Sequence, residues 1–191
     1  MKKIQGYKLL SITLLLLSSG LVNASISLGF GTAIQNAGSI DIDVIISGLA
    51  SEAAPSLATY DLDINFNSSH LSFSNASFGD SILGNQLDLF DFADNFSDAY
   101  LSDVGVLNIY ELSLDDPADL NNFQANSFTL ATLTFDVLKS DVSQLSFFVN
   151  DLGDANDNSL ATIITTGTVS TVPVPAAFWL MASGLGLLYR Q

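Results

Sequence analysis

In ATYDLDINF, residues 58–66, every second side chain is large and apolar. Tyr60, Leu62, Ile64 and Phe66 alternate with Asp61, Asp63 and Asn65. A repeat of two is the repeat of a β-strand with one face in a core and one in water. The pattern recurs. SIDIDVII puts Ile40, Ile42, Val44 and Ile46 on one face and Asp41 and Asp43 on the other. ATLTFDVL points Ala131, Leu133, Phe135 and Val137 one way and Thr132, Thr134 and Asp136 the other, and QLSFFV offers Leu145, Phe147 and Val149. Strands that are polar on one side only suit antiparallel sheets packed face to face. The expected fold is therefore all-β, an antiparallel jelly-roll sandwich filling residues 25–171.

The remainder of that stretch refines the expectation. VGVLNIYEL, residues 104–112, is apolar on both faces and reads as a central strand. Turn clusters such as SGLASEAAPS, NSS, DLGDANDNS and TTG separate the strands. One short helix is expected, with Asp116 as its cap, Pro117 in its first turn and 118–123 as its body. Residues 80–103 read as a long loop or an irregular edge segment.

Charge is distributed very unevenly. Residues 25–171 hold all 20 acidic residues and one of the five cations, Lys139. Such a body repels nucleic acid and anionic lipid heads and attracts basic partners or divalent cations. With few cations to pair with, the acids are expected to be solvated. Disorder, the usual companion of high net charge, is opposed by an apolar content of 48% and 13 phenylalanines. With no cysteine there is no disulfide, thiolate metal site or cysteine nucleophile.

Both ends read as addresses. At the N-terminus Lys2, Lys3 and Lys8 precede an apolar run at 9–17, then Val22-Asn23-Ala24. That order is the order of a secretory signal peptide, residues 1–24, cut between Ala24 and Ser25. At the C-terminus VPVPAAFWLMASGLGLLYRQ, residues 172–191, leads two prolines into an uncharged run at 176–189 and a basic end. At about 1.5 Å per residue that run spans roughly 21 Å as a helix, short of the ~30 Å hydrocarbon core. Such a span suits an anchor held briefly and then processed, with Arg190 on the cytoplasmic side.

This tail resembles a PEP-CTERM sorting signal in its VPxPAA variant. Val172, Pro173, Val174 and Pro175 match the proline motif, Ala176, Ala177 and Trp179 the start of the helix, and Arg190 the basic end. Val174 stands where the glutamate that names the family would be, and the basic end is a single arginine. The resemblance implies a Gram-negative bacterium, recognition by an exosortase-type membrane protease, and delivery to the cell surface or extracellular matrix.

The body resembles the cohesin-like and carbohydrate-binding-module superfamily of jelly-roll sandwiches. YDLDINFNSSHLSFSNASFGDSI is similar to its strand–turn–leucine–strand hairpin. ATLTFDVL, QLSF, an Asn/Asp-rich turn and TTGTVSTV are similar to its closing strands. Domains of this kind recur directly before PEP-CTERM tails.

Signals for chemistry are sparse. His70 is the only histidine, in NSSHLSF, and reads as a turn residue rather than the base of a serine triad. A glycosidase-type carboxylate pair cannot be picked from 18 aspartates and two glutamates, Glu52 and Glu111, by spacing. Calcium is the candidate ion. DLGDANDNSL gathers Asp151, Asp154, Asn156, Asp157 and Asn158, hard oxygen ligands at the right density. Counted from Asp154 it fails as an EF-hand, since the sixth residue is Ser159 and the twelfth Thr165. The same oxygens with no ion make an ordinary solvated turn, and the pairs Asp41/Asp43 and Asp61/Asp63 are further candidates. For a sugar, Phe90, Phe92, Phe96 and Tyr100 in DLFDFADNFSDAY could line a shallow site; core packing explains them equally well.

The expected protein is exported, non-enzymatic and requires no cofactor. Its acidic sandwich contacts extracellular polysaccharide or another surface protein, and its C-terminal helix holds the membrane until processing. The main alternative is a carbohydrate-binding module with a defined glycan groove at 88–100, and the third a hydrolase.

Overall fold

A computed structural model of the 191-residue chain describes residues 25–92 and 95–170. The expected leader, 1–24, and sorting signal, 172–191, lie outside the described residues. Among the described residues no helix is long and apolar enough to cross a membrane.

The alternating segments all form strands. In chain order these are β1 (Ile26–Phe30), β2 (Ile34–Gln35), β3 (Ser39–Ser47), β4 (Leu57–Asn65), β5 (Leu71–Phe78), β6 (Asn95–Asp103) and β7 (Val106–Ser113). After α1 (Pro117–Phe123), the one helix among the described residues, come β8 (Ser127–Val137), β9 (Val142–Asp154), β10 (Thr162–Ile164) and β11 (Gly167–Ser170). They build two sheets. The first runs β10-β1-β3-β8-β5, with β2 also on β3, and the second runs β11-β9-β4-β7-β6. Every pairing is antiparallel except β1 with β10, which is parallel.

The core lies between the sheets. Ile40, Ile42, Val44 and Ile46 of β3 face Tyr60, Leu62 and Ile64 of β4, joined by Leu133 and Phe135 of β8 and Leu145 of β9, all buried. Each fully buried aliphatic side chain contributes about 1.5–3 kcal/mol relative to exposure. Val137, at the end of β8, and Val149, in the middle of β9, are half-buried.

Four local expectations meet corrections. The segment 60–82 is not a hairpin within one sheet: β4 belongs to the second sheet and β5 to the first. Asn67 makes the corner, its side chain accepting from Ser69 N at 3.0 Å and its carbonyl from His70 and Leu71. Phe66 and Leu71 flank that corner and both enter the core, so the chain must cross between sheets rather than double back beside itself. The described residues of 80–103 form a loop, 79–92, and an edge strand, β6, whose pairing with β7 shifts register between Leu101 and Asp103. β7 lies between β4 and β6, an interior strand next to the edge. Its inward face ends in Glu111, and its outward face carries Asn108 and Tyr110, so it is not apolar on both sides. Finally, Glu111, Asp88 and Asp154 are buried, not solvated; hydrogen bonds replace their water.

The helix forms as expected. Asp116 caps it by accepting from Ala118 N at 2.8 Å, and Pro117 opens its first turn. Leu120 is its buried side chain, and Phe123 remains exposed.

Candidate functional site

The outer face of the second sheet holds a compact polar centre. Strand alternation sends Asp61 and Asp63 outward from β4, and register places Asn108 of β7 opposite Asp63. Asn108 Nδ2 donates to Asp61 Oδ1 at 2.6 Å and to Asp63 Oδ1 at 2.9 Å. Asn150 of β9 donates to Asp61 Oδ1 at 3.0 Å. One amide thus bridges two carboxylates that would otherwise repel each other.

That arrangement dictates the amide's orientation, because turning it over would set its oxygen against two carboxylate oxygens. Asn108 Oδ1 is left with no partner, although the residue is only 5% exposed. Buried acceptors are nearly always hydrogen-bonded, so this oxygen, itself shielded from solvent, is an exception. Around it the same face is aromatic and apolar. Tyr100 pairs in register with Asn108, Phe96 with Leu112, and Phe148 with Asp63, and all four of these larger side chains are exposed. A polar anchor among exposed aromatics is the chemistry of a protein interface.

The four aromatics expected to line one shallow site lie on two elements. Phe96 and Tyr100 belong to the outer sheet face. Phe90 and Phe92 sit on the 79–92 loop with ring centroids 6.0 Å apart, and Phe90 also meets Phe123 of α1 at 6.3 Å.

The Asp/Asn turn has an internal explanation. Asp154 Oδ1 accepts from Asn156 N and Asn158 N, both at 2.8 Å, and Asn158 Nδ2 reaches both carboxylate oxygens. Burial pushes the Asp154 carboxyl up, but those donors outweigh it and hold it below its ordinary range. Asp151 and Asp157 are exposed, and Asp157 takes a left-handed φ of 63°. Among the described residues no three acidic or histidine side chains are grouped to hold a metal ion. Asp41 and Asp43 accept from Thr134 Oγ1 and Thr132 Oγ1 at 2.7 and 2.6 Å on the outer face of the first sheet. His70 stays in its corner turn, with Nε2 3.8 Å from Asp141 and Nδ1 3.4 Å from Asn67 Nδ2.

Glu111 is the most deeply placed acid, 1% exposed. Tyr60 donates to its Oε2 at 3.0 Å, and Asn85 and Asn95 donate to its Oε1 at 2.6 and 2.5 Å. Burial raises its pKa above the ordinary glutamate value, against the lowering effect of the three donors. Burial and the adjacent carboxylate likewise push the Tyr60 phenol well up. Asn85 lies midway along the loop and Asn95 opens β6, so this carboxylate ties the middle of the loop to the start of the edge strand.

Sequence reading named Asp61 and Asp63 but missed Asn108, Asn150 and Phe148 as their companions, and Phe123 as the neighbour of Phe90. Asn108 had a signal, as the one polar residue in VGVLNIY. Phe148 had one too, since inward Phe147 and Val149 force it outward.

This two-sheet sandwich is the cohesin fold. A non-cellulosomal cohesin from the archaeon Archaeoglobus fulgidus superposes with a TM-score of 0.57, over 82% of this chain and 98% of its own, at 16% identity. The sixth cohesin of Acetivibrio cellulolyticus scaffoldin B, solved in complex with a dockerin, gives 0.60 over 78% and 99% at 17% identity. A Clostridium acetobutylicum cohesin gives 0.59 over 80% and 94% at 20%. No protein-family model matches the chain, and no curated protein matches it in sequence.

Proposed function

We propose that this chain is an exported, non-catalytic surface protein whose sandwich docks another protein through the outer face of the second sheet. The observation that carries the reading is the group of exposed large side chains on that face, Phe96, Tyr100, Leu112 and Phe148, set in register around the Asp61–Asp63–Asn108 centre. A partner's apolar surface would cover Phe148 and Tyr100, and its donors would meet the carboxylates of Asp61 and Asp63. The acidic surface favours a basic partner. Support also comes from the cohesins solved with bound dockerins in Acetivibrio cellulolyticus and Clostridium thermocellum.

Export and sorting complete the reading. Residues 1–24 direct secretion, with cleavage between Ala24 and Ser25. Residues 172–191 hold the inner membrane until an exosortase-type protease of a Gram-negative host acts on the proline motif. The protein is then a component of the cell surface or matrix.

Two measurements test this. A photo-crosslinker at position 148 on the host envelope should trap one discrete protein, while the same group at Ile45, on the opposite sheet, should not. Crosslinks from neither position, or from Ile45 alone, would remove the docking reading. Intact mass of the recovered protein should match a start at Ser25 and an end near Pro175. A mass that still includes Trp179 and Arg190 would remove the exosortase reading.

A further inference from the structure

The 79–92 loop inverts the usual rule of burial. Gln86, Leu87 and Asp88 are buried, while Ile82 is 90%, Phe90 46% and Phe92 70% exposed. The inversion is not slack chain. Gln86 Oε1 accepts from Ala125 N at 2.8 Å, and Gln124 Nε2 donates to the Gln86 carbonyl at 2.9 Å. Leu89 N donates to Asp115 Oδ2 at 2.9 Å, and Asp80 accepts from Ile82, Leu83 and Thr129. Asn85, midway along the loop, and Asn95, at the start of β6, both donate to buried Glu111. Burying a carboxylate opposes folding, so the fold bears a cost to hold in place a loop that displays its phenylalanines to water.

We propose that Phe90, Phe92 and Phe123 form a second docking surface, which takes a cationic, apolar segment of a partner protein. Three observations define that occupant. First, the rings adjoin without sharing a plane: Phe92 is tilted 33° and Phe123 70° from Phe90. They make a nest for side chains, not the flat platform on which a sugar ring stacks. Second, carboxylates surround the nest. Asp91 separates Phe90 from Phe92, Asp115 binds the amide next to Phe90, and Asp119 lies one helical turn before Phe123. Third, the one lysine among the described residues, Lys139, follows the end of β8, whereas Phe123 precedes its start, and the strand between spans roughly 30 Å at a strand's rise per residue. Arginine or lysine set between apolar residues would meet both the carboxylates and the ring faces. A second copy of this chain, or an anionic lipid surface, would bring like charge to the same place.

The site is independent of the sheet face proposed above, and the test separates them. A fluorescent short peptide alternating arginine and leucine is titrated into the full chain, beside one alternating arginine and serine. The arginine–leucine peptide should bind saturably and about tenfold more tightly. The double variant Phe90→Ser/Phe92→Ser should lose that preference, Asp91→Asn/Asp119→Asn should weaken binding several-fold, and Phe148→Ser should change neither. Circular dichroism should show each variant folded, since these side chains are exposed. Equal affinity for the two peptides would overturn the proposal, as would a preference that survives the double variant or disappears with Phe148→Ser. So would saturable binding of a soluble glucan, or a dimer in sedimentation, abolished by the double variant.

Discussion

Tyr60 and Glu111 stand opposite each other in register on β4 and β7, and the phenol hydroxyl donates to Glu111 Oε2 at 3.0 Å inside the sandwich. The pair joins the apolar core to the polar network beneath the 79–92 loop. Tyr60 is fully buried, so its ring packs with the core while its hydroxyl serves the carboxylate. Tyr60→Phe keeps the ring and strips one donor from a buried carboxylate, and should cost about 1–3 kcal/mol. Urea unfolding followed by circular dichroism measures this, and an unchanged midpoint would refute it.

Glu111 also sets a pH dependence. Burial raises its folded-state pKa, so the folded chain holds this proton more tightly than the unfolded chain does. Its contribution to stability is greatest below the ordinary glutamate range and declines as pH rises through the raised folded-state value. Glu111→Gln keeps an oxygen for Asn85 and Asn95 and cannot ionise. Its stability curve should lack that decline, and a slope equal to the parent's would show that Glu111 titrates as if exposed.

Asp80 and Asp154 act in the opposite sense. In both, burial raises the carboxyl, but hydrogen bonds, chiefly from backbone N–H groups, outweigh it and lower the pKa. The stability they supply is present above the ordinary aspartate pKa and is lost as pH falls through the lowered folded-state values. Asp154→Ala and Asp80→Ala should each unfold more easily at neutral pH. Each should also show a shallower loss on acidification than the parent in thermal melts collected across acid pH. Parallel melting curves would contradict both assignments.

Phe147 and Phe148 are neighbours with opposite fates. Phe147 is buried and stacks on Phe30 with centroids 4.0 Å apart and planes 6° apart, whereas Phe148 is 62% exposed. Phe147→Ala should cost about 3–5 kcal/mol, and Phe148→Ala should stay within about 0.5 kcal/mol while losing the envelope partner. Equal destabilisation by the two would mean the outer face is covered within the protein itself.

The turn at Val104 and Gly105 joins β6 to β7, and Gly105 adopts φ +75°. A Cβ there would meet the Phe66 carbonyl oxygen at 2.6 Å, the same residue whose amide donates to Gly105 O at 2.9 Å. Gly105→Ala should therefore cost about 1–3 kcal/mol through strain and crowding, read as a lower melting temperature. A rise in melting temperature would mean that the backbone relaxes freely at this turn.

Alternation was enough to assign the inward residues of β3, β4 and most of β8 and β9, because the pleat sends successive side chains to opposite faces whatever the neighbouring strand is. Asp116 and Pro117 were enough for the helix, since capping is local. Alternation could not tell that β4 and β5 part company at Asn67, because a strand's inward face reads the same in either sheet. It could not distinguish Glu111 from the solvated acids, since its burial depends on Asn85, Asn95 and Tyr60, which are distant in sequence. The outer-face centre of Asp61, Asp63 and Asn108 was hidden for the same reason. The sequence by itself determined which side chains seek the core and which avoid it, a property of each residue and its immediate neighbours. Tertiary structure alone decided which of the avoiding residues meet, because strand order and register bring together residues that share no local pattern.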